Sequence, residues 1–416
     1  MKKLGIALMI VSIVFSAVLL SCEGRNRGDT NTIRIGAIYP LSGPVAAIGH
    51  NIVRGIEFAV DEINANGGID GRMIEVIFAD SEGRPAQGMT VAERLITRDN
   101  VVAIIGAYQS AVTEVVSQVA ERHRVPLITA ISTADQLTTR GFQYFFRLSP
   151  TNSIFLRSMI EYLVTIDRET STNIRTISIL ADNTLMGQET ARWARHWAGE
   201  HGIEVLAEVL HIQGSADLSS EVLTIMNSGA DALVVDSYIS DAILITRTMA
   251  EQGFTPPVMV AKATGFIDPT FLPNTGTMAN GISSAVEWSA DMYRGQGVNA
   301  GFRERFGIDM NGHSAQAYTA VWVLKTAIVN AGSTDSSAIR YALRNIRIEG
   351  YFPGGNEIIL PYDVISFEDV VWHGMTHTNT NANAVVTVAQ IQDGVMRTVW
   401  PFAYTPNRPV VPAPFR

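Results

Sequence analysis

The sequence predicts an α/β fold with two similar lobes, each a doubly wound parallel sheet. Two observations support this fold class. Short apolar segments alternate with segments of helical period, and such strict alternation is typical of parallel sheets covered by helices on both faces. The alternation starts again after residues 149–153, which predicts a second lobe of similar construction. A length of 416 residues is sufficient for two such lobes.

The first part of the chain predicts four strands separated by three helices. Ile33–Ile38 alternates in hydrophobicity, and Val101–Ile105 is a continuous apolar run, typical of a strand buried on both faces. Asn66-Gly67-Gly68 ends the first helix. Strands are predicted at 33–38, 73–79, 101–105 and 125–129, and helices at 53–63, 89–96 and 112–119.

The rest of the chain repeats this pattern and then returns to both lobes. Helices are predicted at 154–164, 189–201, 219–227 and 243–252, and strands at 176–180, 205–210, 232–235 and 258–260. Residues 282–345 add a strand and long helices, and strands return at 384–392 and 396–399. We expect a first lobe at 32–150 and 282–348, a second lobe at 151–281 and 349–402, and a C-terminal tail at 403–416. A multi-strand hinge near 150, 275–285 and 348 joins the two lobes in this prediction.

The N-terminal residues have the pattern of an export signal. Lys2 and Lys3 precede an apolar run from Leu4 to Leu20 that is short for a membrane span, as in a secretory signal. Leu19-Leu20-Ser21-Cys22 resembles a lipobox, in which the cysteine is lipidated and becomes the first mature residue. The prediction is a lipoprotein signal peptide at 1–21, a tether at 22–31, and a protein anchored at Cys22 that faces the periplasm or the cell exterior. An ordinary cleaved signal with an incidental cysteine is the alternative, and the identity of the membrane stays open.

Composition and motifs exclude several classes of function. A formal net charge of −9 disfavours nucleic acid, whose recognition requires a basic surface. The sequence contains no Gly-x-Ser-x-Gly elbow, Walker loop or His-Glu-x-x-His motif, so it predicts neither an enzyme nor a cofactor. His373 and His377 lie in a Gly-, Thr- and Asn-rich segment without a third ligand at a known spacing, so we expect a loop rather than a metal site.

Three predicted strand ends carry side chains suited to ligand binding. In a parallel sheet, ligands bind beyond the carboxyl ends of the strands, where the following helices present free N–H groups. These ends are 106–113, which includes Gln109 and Ser110; 129–135, which includes Ser132 and Thr133; and 236–238, which includes Tyr238. Taken singly, a serine or threonine at a helix start is more simply an N-cap. Two hydroxyl-bearing ends on neighbouring strands, facing a tyrosine of the other half, favour an anion pocket.

The N-terminal part also contains a set of motifs at defined spacing. These are Ile35-Gly36, Leu41-Ser42-Gly43-Pro44, Gly49 and the segment Glu62–Arg72 with its Asn-Gly-Gly-Ile run. Together they resemble the signature of the leucine/isoleucine/valine-binding protein family, and the resemblance extends over nearly all of residues 32–402. It implies a periplasmic binding protein type I fold. It also implies a monomer that captures a small ligand and delivers it to the permease of an ATP-driven (ABC) importer, without chemistry of its own.

The resemblance assigns candidate ligand-binding residues as well. In that family the α-carboxylate of an amino acid is held by hydroxyls and backbone amides of the first lobe, and an aromatic residue of the second lobe closes over the ligand. The matching positions are Ser110, the backbone of Ile131, Thr133 and Tyr238. The other candidates are Gln109, Ser132, Thr264, and the pair Met186 and Ile48, which stand where the family often has tyrosines. Neutral donors at helix starts can bind a carboxylate without a buried cation.

The chain departs from the family where a ligand ammonium group would bind. The acidic residue that usually follows the strand at 258–260 is absent, because 261–265 reads Ala-Lys-Ala-Thr-Gly. A buried ammonium without a counter-charge is costly. Either Asp236 or Glu287 supplies that charge, or the ligand is not an ordinary α-amino acid. Lys262 could pair with a second acidic group, but a solvated lysine is the simpler interpretation.

Three classes of function remain open at this point. The leading hypothesis is a lipid-anchored solute-binding protein of an ABC importer, with an amino acid or a related carboxylate carrying an apolar side group as its ligand. The same lobes could instead form a sensor that feeds a receptor, or bind a non-amino-acid carboxylate or an amide. A cell-surface hydrolase is the third class, and the lack of a catalytic motif disfavours it.

Overall fold

The computed structural model describes residues 32–262, 264–353 and 355–411. Two seven-stranded sheets with their helices form two similar lobes, which confirms the predicted α/β fold class. The predicted signal peptide, Cys22 and the tether at 22–31 lie outside the described residues.

Sixteen strands occur in the described residues. In chain order they are β1 Thr32–Tyr39, β2 Met73–Asp80, β3 Ala103–Gly106, β4 Leu127–Thr129, β5 Phe145–Arg147, β6 Thr176–Asp182, β7 Glu204–His211, β8 Ala232–Asp236, β9 Val258–Lys262, β10 Ser283–Val286, β11 Arg347–Glu349, β12 Val364–Ser366, β13 Glu368–Trp372, β14 Met375–Thr380, β15 Thr387–Gln392 and β16 Val395–Trp400.

The two large sheets have corresponding strand orders. The first is ordered β13-β14-β5-β4-β3-β1-β2, and the second β16-β15-β10-β9-β8-β6-β7. Neighbouring strands are parallel except at one edge of each sheet, where β13 pairs antiparallel with β14, and β15 pairs antiparallel with β10 and β16. Strands β11 and β12 form a separate antiparallel pair.

Helices cover the faces of both sheets. They are α1 Ala46–Ala65, α2 Pro85–Thr97, α3 Ser110–His123, α4 Asn152–Thr170, α5 Leu185–Glu200, α6 Ser219–Ser228, α7 Ile239–Glu251, α8 Phe271–Thr275, α9 Gln296–Phe306, α10 Gly312–Ala331 and α11 Ser336–Arg344. Short 3₁₀ helices occur at Asp135–Leu137, Gly265–Ile267 and Gly276–Ala279.

The sheets divide the chain differently from the predicted lobe limits in two places. Ser283–Val286 joins the second sheet, although the sequence analysis assigns 282–348 to the first lobe. Glu368–Thr380 joins the first sheet, although 349–402 is assigned to the second lobe. Apolar alternation identifies a strand but not the sheet edge that receives it. The chain therefore passes between the lobes at 148–151, 287–295 and 381–386.

Helix α10 is buried along most of its length and packs along α1 in the first lobe. Gly55 of α1 makes this close approach possible, because a methyl group at that position would lie 2.3 Å from the carbonyl oxygen of Ser314. The hydroxyl of Tyr318 on α10 donates a hydrogen bond to Glu62 of α1 at 2.6 Å. This packing fixes the start of α10, including His313, at the side of the first lobe that faces the second.

Replacing Gly55 with alanine should therefore destabilise the protein. We expect Gly55→Ala to lower the free energy of unfolding by about 1–3 kcal/mol, since the added methyl forces α1 and α10 apart. Gly199→Ala is the matched control in α5, where the added methyl meets no atom within 4 Å. It should leave the stability unchanged or raise it by up to about 1 kcal/mol through helix propensity. Urea unfolding measures both, and equal effects of the two changes would contradict the packing.

Candidate functional site

A small cavity lies where the strand ends of the two lobes face each other. Its volume is about 20 Å³, which is room for one water molecule, so the lobes are close together here. The cavity is lined by Tyr108, Ser110, Ile131, Ser132, Thr133, Met186, Tyr238, Lys262, Thr264, Glu287 and His313.

Seven of the nine predicted ligand-binding residues line this cavity: Ser110, Ile131, Ser132, Thr133, Met186, Tyr238 and Thr264. Gln109 lines an adjoining cavity of about 140 Å³, which it shares with Ser110, Met186 and Tyr238. Ile48 lines neither cavity. It is buried in an apolar cluster, where α1 packs in the first lobe.

Lys262, at the end of β9, is buried rather than solvated as the sequence analysis expected. Its side chain is 1% exposed, and its Nζ atom lies 2.9 Å from Oγ1 of Thr133 and 3.4 Å from Oδ2 of Asp236. Thr133 belongs to the first lobe and Asp236 to the second. The ammonium group therefore pairs within its own lobe and also forms a hydrogen bond across the cleft.

Asp236 is the counter-charge of Lys262 and is itself held in place. Its carboxylate accepts hydrogen bonds from Oγ1 of Thr190 at 2.6 Å and from Oγ1 of Thr264 at 2.8 Å. Together with the contact to Lys262, these bonds engage both carboxylate oxygens. A buried ion pair requires such additional bonds, because each charge loses its hydration.

The hydroxyls of the first lobe differ in whether their proton is free to be donated to a ligand. Oγ1 of Thr133 donates to Oδ1 of Asn152 at 2.7 Å while it accepts from Lys262. Oγ of Ser110 accepts a hydrogen bond from the backbone of Ala134 at 3.3 Å, so its own proton can be donated elsewhere. The Ser132 hydroxyl is instead bonded to atoms of the first lobe, among them the backbone oxygen of Tyr108 at 3.0 Å. Ser110 is therefore the hydroxyl that can donate to a ligand, whereas the Thr133 hydroxyl already donates to Asn152 and holds the ammonium of Lys262 beside the cavity.

Further titratable groups surround the ion pair. Burial raises the pKa of Glu287 to about 7, and the nearby Lys262 opposes this effect. Burial, and then the charge of Asp236, raises the pKa of Asp182 to about 7. Burial, followed by Lys262, lowers the pKa of His313 to about 3, so its imidazole is neutral near pH 7. The charges beside the cavity are thus those of one ammonium and several carboxyl groups, two of which titrate near neutrality.

Aromatic rings close the cavity from both lobes. Tyr108 of the first lobe meets Tyr238 of the second edge to face, with ring centroids 5.8 Å apart. Tyr108 also meets His313 edge to face at 5.4 Å. Neither Tyr108 nor His313 is among the site residues predicted from the sequence. Tyr108 lies two residues before Ser110 on a strand end already selected, whereas His313 has no local signal and is brought there by α10.

A second polar contact joins the lobes beside the cavity. Glu189 of α5 accepts hydrogen bonds from the backbone N–H of Asp135 at 2.6 Å and from that of Gln136 at 3.3 Å. These N–H groups open the 3₁₀ helix at Asp135–Leu137, where a carboxylate is favoured. The carboxyl of Asp135 is itself buried, and burial followed by the charge of Glu189 raises its pKa to about 7.

A larger cavity of about 320 Å³ lies next to the small one. Its lining is mainly apolar and includes Phe266, Trp288 and Met310 together with the buried Asp268. Gly312 lines this cavity, and a methyl group on Gly312 would lie 3.0 Å from Oε2 of Glu287. Glu287 thus lies close to the boundary between the two spaces.

Neither a membrane-crossing helix nor a metal site is found in the described part of the chain. No helix there is long and apolar enough to cross a bilayer, and no group of three or more His, Cys, Asp or Glu side chains could hold a metal ion. His373 lies in the turn between β13 and β14, and His377 lies within β14, so the predicted loop is limited to the turn. The His373 ring packs 4.6 Å from Trp193 and 5.2 Å from Trp197, as measured between centroids.

Removing the charge of Lys262 should destabilise the protein, because the buried Asp236 carboxylate loses its counter-charge. We expect Lys262→Met to lower the free energy of unfolding by about 3–5 kcal/mol, because the Asp236 carboxylate stays buried without its partner. Asp236→Asn combined with Lys262→Met should be more stable than Lys262→Met alone, because it leaves neither charge. Lys325→Met, at a half-exposed lysine of α10, is the matched control and should change stability by less than about 1 kcal/mol. Urea unfolding of refolded, solute-free protein checks these values, and a loss below that of the control would contradict the ion pair.

The raised pKa of Glu287 predicts a pH-dependent stability. The folded protein keeps the Glu287 proton up to about pH 7, whereas the unfolded chain releases it near 4.5, so ionisation of Glu287 destabilises the protein as pH rises between these values. Glu287→Gln removes this contribution. The variant should therefore gain stability relative to the unliganded wild type between pH 4.5 and pH 8, by up to about 3 kcal/mol. Urea unfolding of both proteins at pH 4.5 and at pH 8 tests this prediction. If the variant and the wild type differed by the same free energy of unfolding at both pH values, the prediction would be wrong.

Comparison with known proteins identifies the family. A family model described as periplasmic binding protein matches residues 32–394. A curated relative, the Leu/Ile/Val-binding protein homolog 7 of Brucella suis, is 27% identical over 418 residues, which cover 97% of this chain and 98% of the relative.

Two solved structures share the fold. The branched-chain amino acid transporter substrate binding protein LivJ from Streptococcus pneumoniae, in complex with isoleucine, has a TM-score of 0.72 at 23% identity and covers 89% of this chain and 100% of its own. A solute binding protein of an ABC transporter from Rhodopseudomonas palustris, in complex with 3,4-dihydroxybenzoic acid, has a TM-score of 0.72 at 18% identity and covers 88% of this chain and 96% of its own. The protein therefore belongs to the periplasmic binding protein family, and is a solute-binding protein of type I architecture rather than an enzyme.

Proposed function

We propose that this protein is an extracytoplasmic solute-binding lipoprotein that captures a small carboxylate-bearing ligand and delivers it to an ABC permease. The observation that carries the proposal is the cavity between the two lobes. It combines hydroxyls of the first lobe, at Ser110 and Thr133, with Tyr238 and the buried ammonium of Lys262 from the second.

The donors around the cavity suit a carboxylate. Ser110 begins α3, where the first N–H groups lack intrahelical acceptors and the helix dipole favours negative charge. Lys262 adds a cation with three donors, of which Thr133 and Asp236 engage two. The ligands named for the two structural neighbours, isoleucine and 3,4-dihydroxybenzoic acid, both carry a carboxylate.

The walls of the cavity suit an apolar side group. Ile131, Met186 and the rings of Tyr108 and Tyr238 supply apolar surface from both lobes. An amino acid or a related carboxylate with an apolar side group fits these walls and donors together. A carboxylate without an amino group, or an amide, is the second candidate, because residues 263–265, directly after β9, include no acidic residue.

Ligand entry requires the lobes to separate. A cavity of about 20 Å³ holds no amino acid, so the described arrangement is closed. The three passages of the chain between the lobes at 148–151, 287–295 and 381–386 act as the hinge. Closure around a ligand then presents a distinct surface to the permease, and a receptor that reads the same surface would make the protein a sensor instead.

The proposed location rests on the N-terminal sequence. The apolar run before Cys22 and the lipobox-like residues around it support export, removal of residues 1–21 and a lipid anchor at Cys22. A single acyl-anchored chain of this kind would act as a monomer beside its permease. The anchor faces the periplasm or the cell exterior.

A thermal-shift screen tests the binding function. The fragment 23–416 is unfolded and refolded to remove bound solute, and is then screened against amino acids, their hydroxy and keto analogues, and small amides. A ligand at about 100 times its Kd should add about 2.7 kcal/mol of stability and raise Tm clearly. No shift with any member of the panel would contradict a carboxylate-binding function.

Two substitutions test the proposed site. Ser110→Ala combined with Thr133→Ala should weaken binding of the best ligand by about 10-fold or more, because the Ser110 donor is lost and the ammonium of Lys262 loses the hydroxyl that holds it beside the cavity. Thr97→Ala, which removes an exposed hydroxyl of α2, is the control and should leave the affinity unchanged. Titration calorimetry measures both, and an unchanged affinity in the double variant would exclude these hydroxyls from the site.

A further inference from the structure

We infer that Glu287 is the acceptor for the ammonium group of the ligand, and therefore that the ligand is an α-amino acid rather than a simple carboxylate. This inference rests on the proposed solute-binding function and specifies its ligand class. It rests on the position and bonding of Glu287 compared with those of Asp236.

The carboxylate of Asp236 is already bonded within the protein. Its two oxygens are engaged by Lys262, Thr190 and Thr264, and the first of these contacts neutralises its charge. A ligand ammonium that drew Asp236 away would leave Lys262 buried without a counter-charge, which is strongly unfavourable. Asp236 therefore serves the protein's own lysine.

Glu287 has an uncommitted oxygen. The side chain is buried and lines the small cavity, and its Oε2 atom has no hydrogen-bond partner among the described residues. A buried carboxylate oxygen without a donor is costly, and an arriving ammonium would supply both the donor and the opposite charge. The burial that raises the pKa of Glu287 is consistent with a group whose partner arrives from outside the protein.

The sheet places Glu287 next to the end of β9, the strand that carries Lys262. Strands β9 and β10 are parallel neighbours, and Ala285 pairs with Lys262. Glu287, two residues beyond Ala285, therefore leaves the sheet at the same edge as Thr264, one strand away. Glu287 and Lys262 thus lie on neighbouring strand ends of the second lobe and both line the small cavity.

The cavity then offers separate partners for the two charged groups of one zwitterion. Lys262, and Ser110 at the start of α3, face it as donors for a carboxylate, and Thr133 holds the ammonium of Lys262 in place. Glu287 faces it as an acceptor for an ammonium. The remaining titratable side chains that line the cavity are Tyr108, Tyr238 and His313, and none of them carries a charge near pH 7, because burial raises the pKa of both tyrosines and lowers that of the histidine. A ligand with only a carboxylate would leave Glu287 buried and unpaired.

The test compares each standard amino acid that has a primary α-amino group with its 2-hydroxy acid by titration calorimetry. The full-length mature protein is used after refolding without solute. In the wild type, the best amino acid should bind at least about 10-fold more tightly than its 2-hydroxy analogue. In Glu287→Gln, the amino acid should lose about 10-fold to 100-fold in affinity while the 2-hydroxy acid changes by less than about 3-fold, so the preference disappears.

Asp268→Asn is the matched control for this test. Asp268 is also a buried carboxyl with an unpartnered oxygen, but it lines the larger cavity and not the small one. The control should keep the preference for the amino acid. Glu287→Asp provides a second variant if Glu287→Gln does not fold, and it should weaken the amino acid more than the 2-hydroxy acid.

The possible failures are distinguishable. If the wild type binds 2-hydroxy acids as well as or better than amino acids, the protein is still a carboxylate-binding protein but the role of Glu287 is wrong. If the preference persists in Glu287→Gln, another residue binds the ammonium and the inference is also wrong. If neither series binds to the wild type, the proposed function fails, and this inference fails with it.

Discussion

The contact between the two lobes is organised around the ammonium group of Lys262. This charge is buried between a hydroxyl of the first lobe, on Thr133, and a carboxylate of the second, on Asp236. An ammonium removed from water loses several kcal/mol of hydration free energy. The charged form of Lys262 is therefore stable in this position only while Asp236 stays in place as its counter-charge. Thr190 and Thr264 provide that support. A ligand can share this ammonium, but cannot displace it without leaving Asp236 unpaired.

Other contacts across the cleft are also made by residues at strand ends or helix starts. Glu189 binds the backbone of Asp135, and Tyr108 packs against Tyr238, in each case through residues at strand ends or helix starts that face the other lobe. In the proposed hinge motion, a rotation about the three chain passages would separate all of these groups together. The closed arrangement can therefore be stable and still release a solute when the lobes separate. The equilibrium between closed and separated lobes depends on how well a ligand replaces the hydrogen bond between Lys262 and Thr133.

The parts of this molecule that follow from local pattern were predictable from the sequence. Strand and helix periodicity indicated the α/β class, and the rule for strand ends brought Ser110 and Thr133 to one cavity. The burial of Lys262 was not predictable, because its partners lie far away in the chain and a lone lysine is usually solvated. The sheet that receives residues 283–286 was likewise hidden, since an apolar strand has the same pattern at either edge. His313 reaches the cavity only through the packing of α10 on α1.

The late position of the edge strands has a consequence for how the protein folds. Without β14 the first sheet would end at β5, and without β15 the second would end at β10. During synthesis β5 stays an open edge until the chain has passed residue 380, and β10 until it has passed residue 392, and an open edge can pair with another chain. Both sheets close through contacts between residues far apart in sequence, which slows folding. The nascent chain thus lacks an inner strand of each sheet until late in synthesis, which prolongs the time in which exposed strand edges can aggregate.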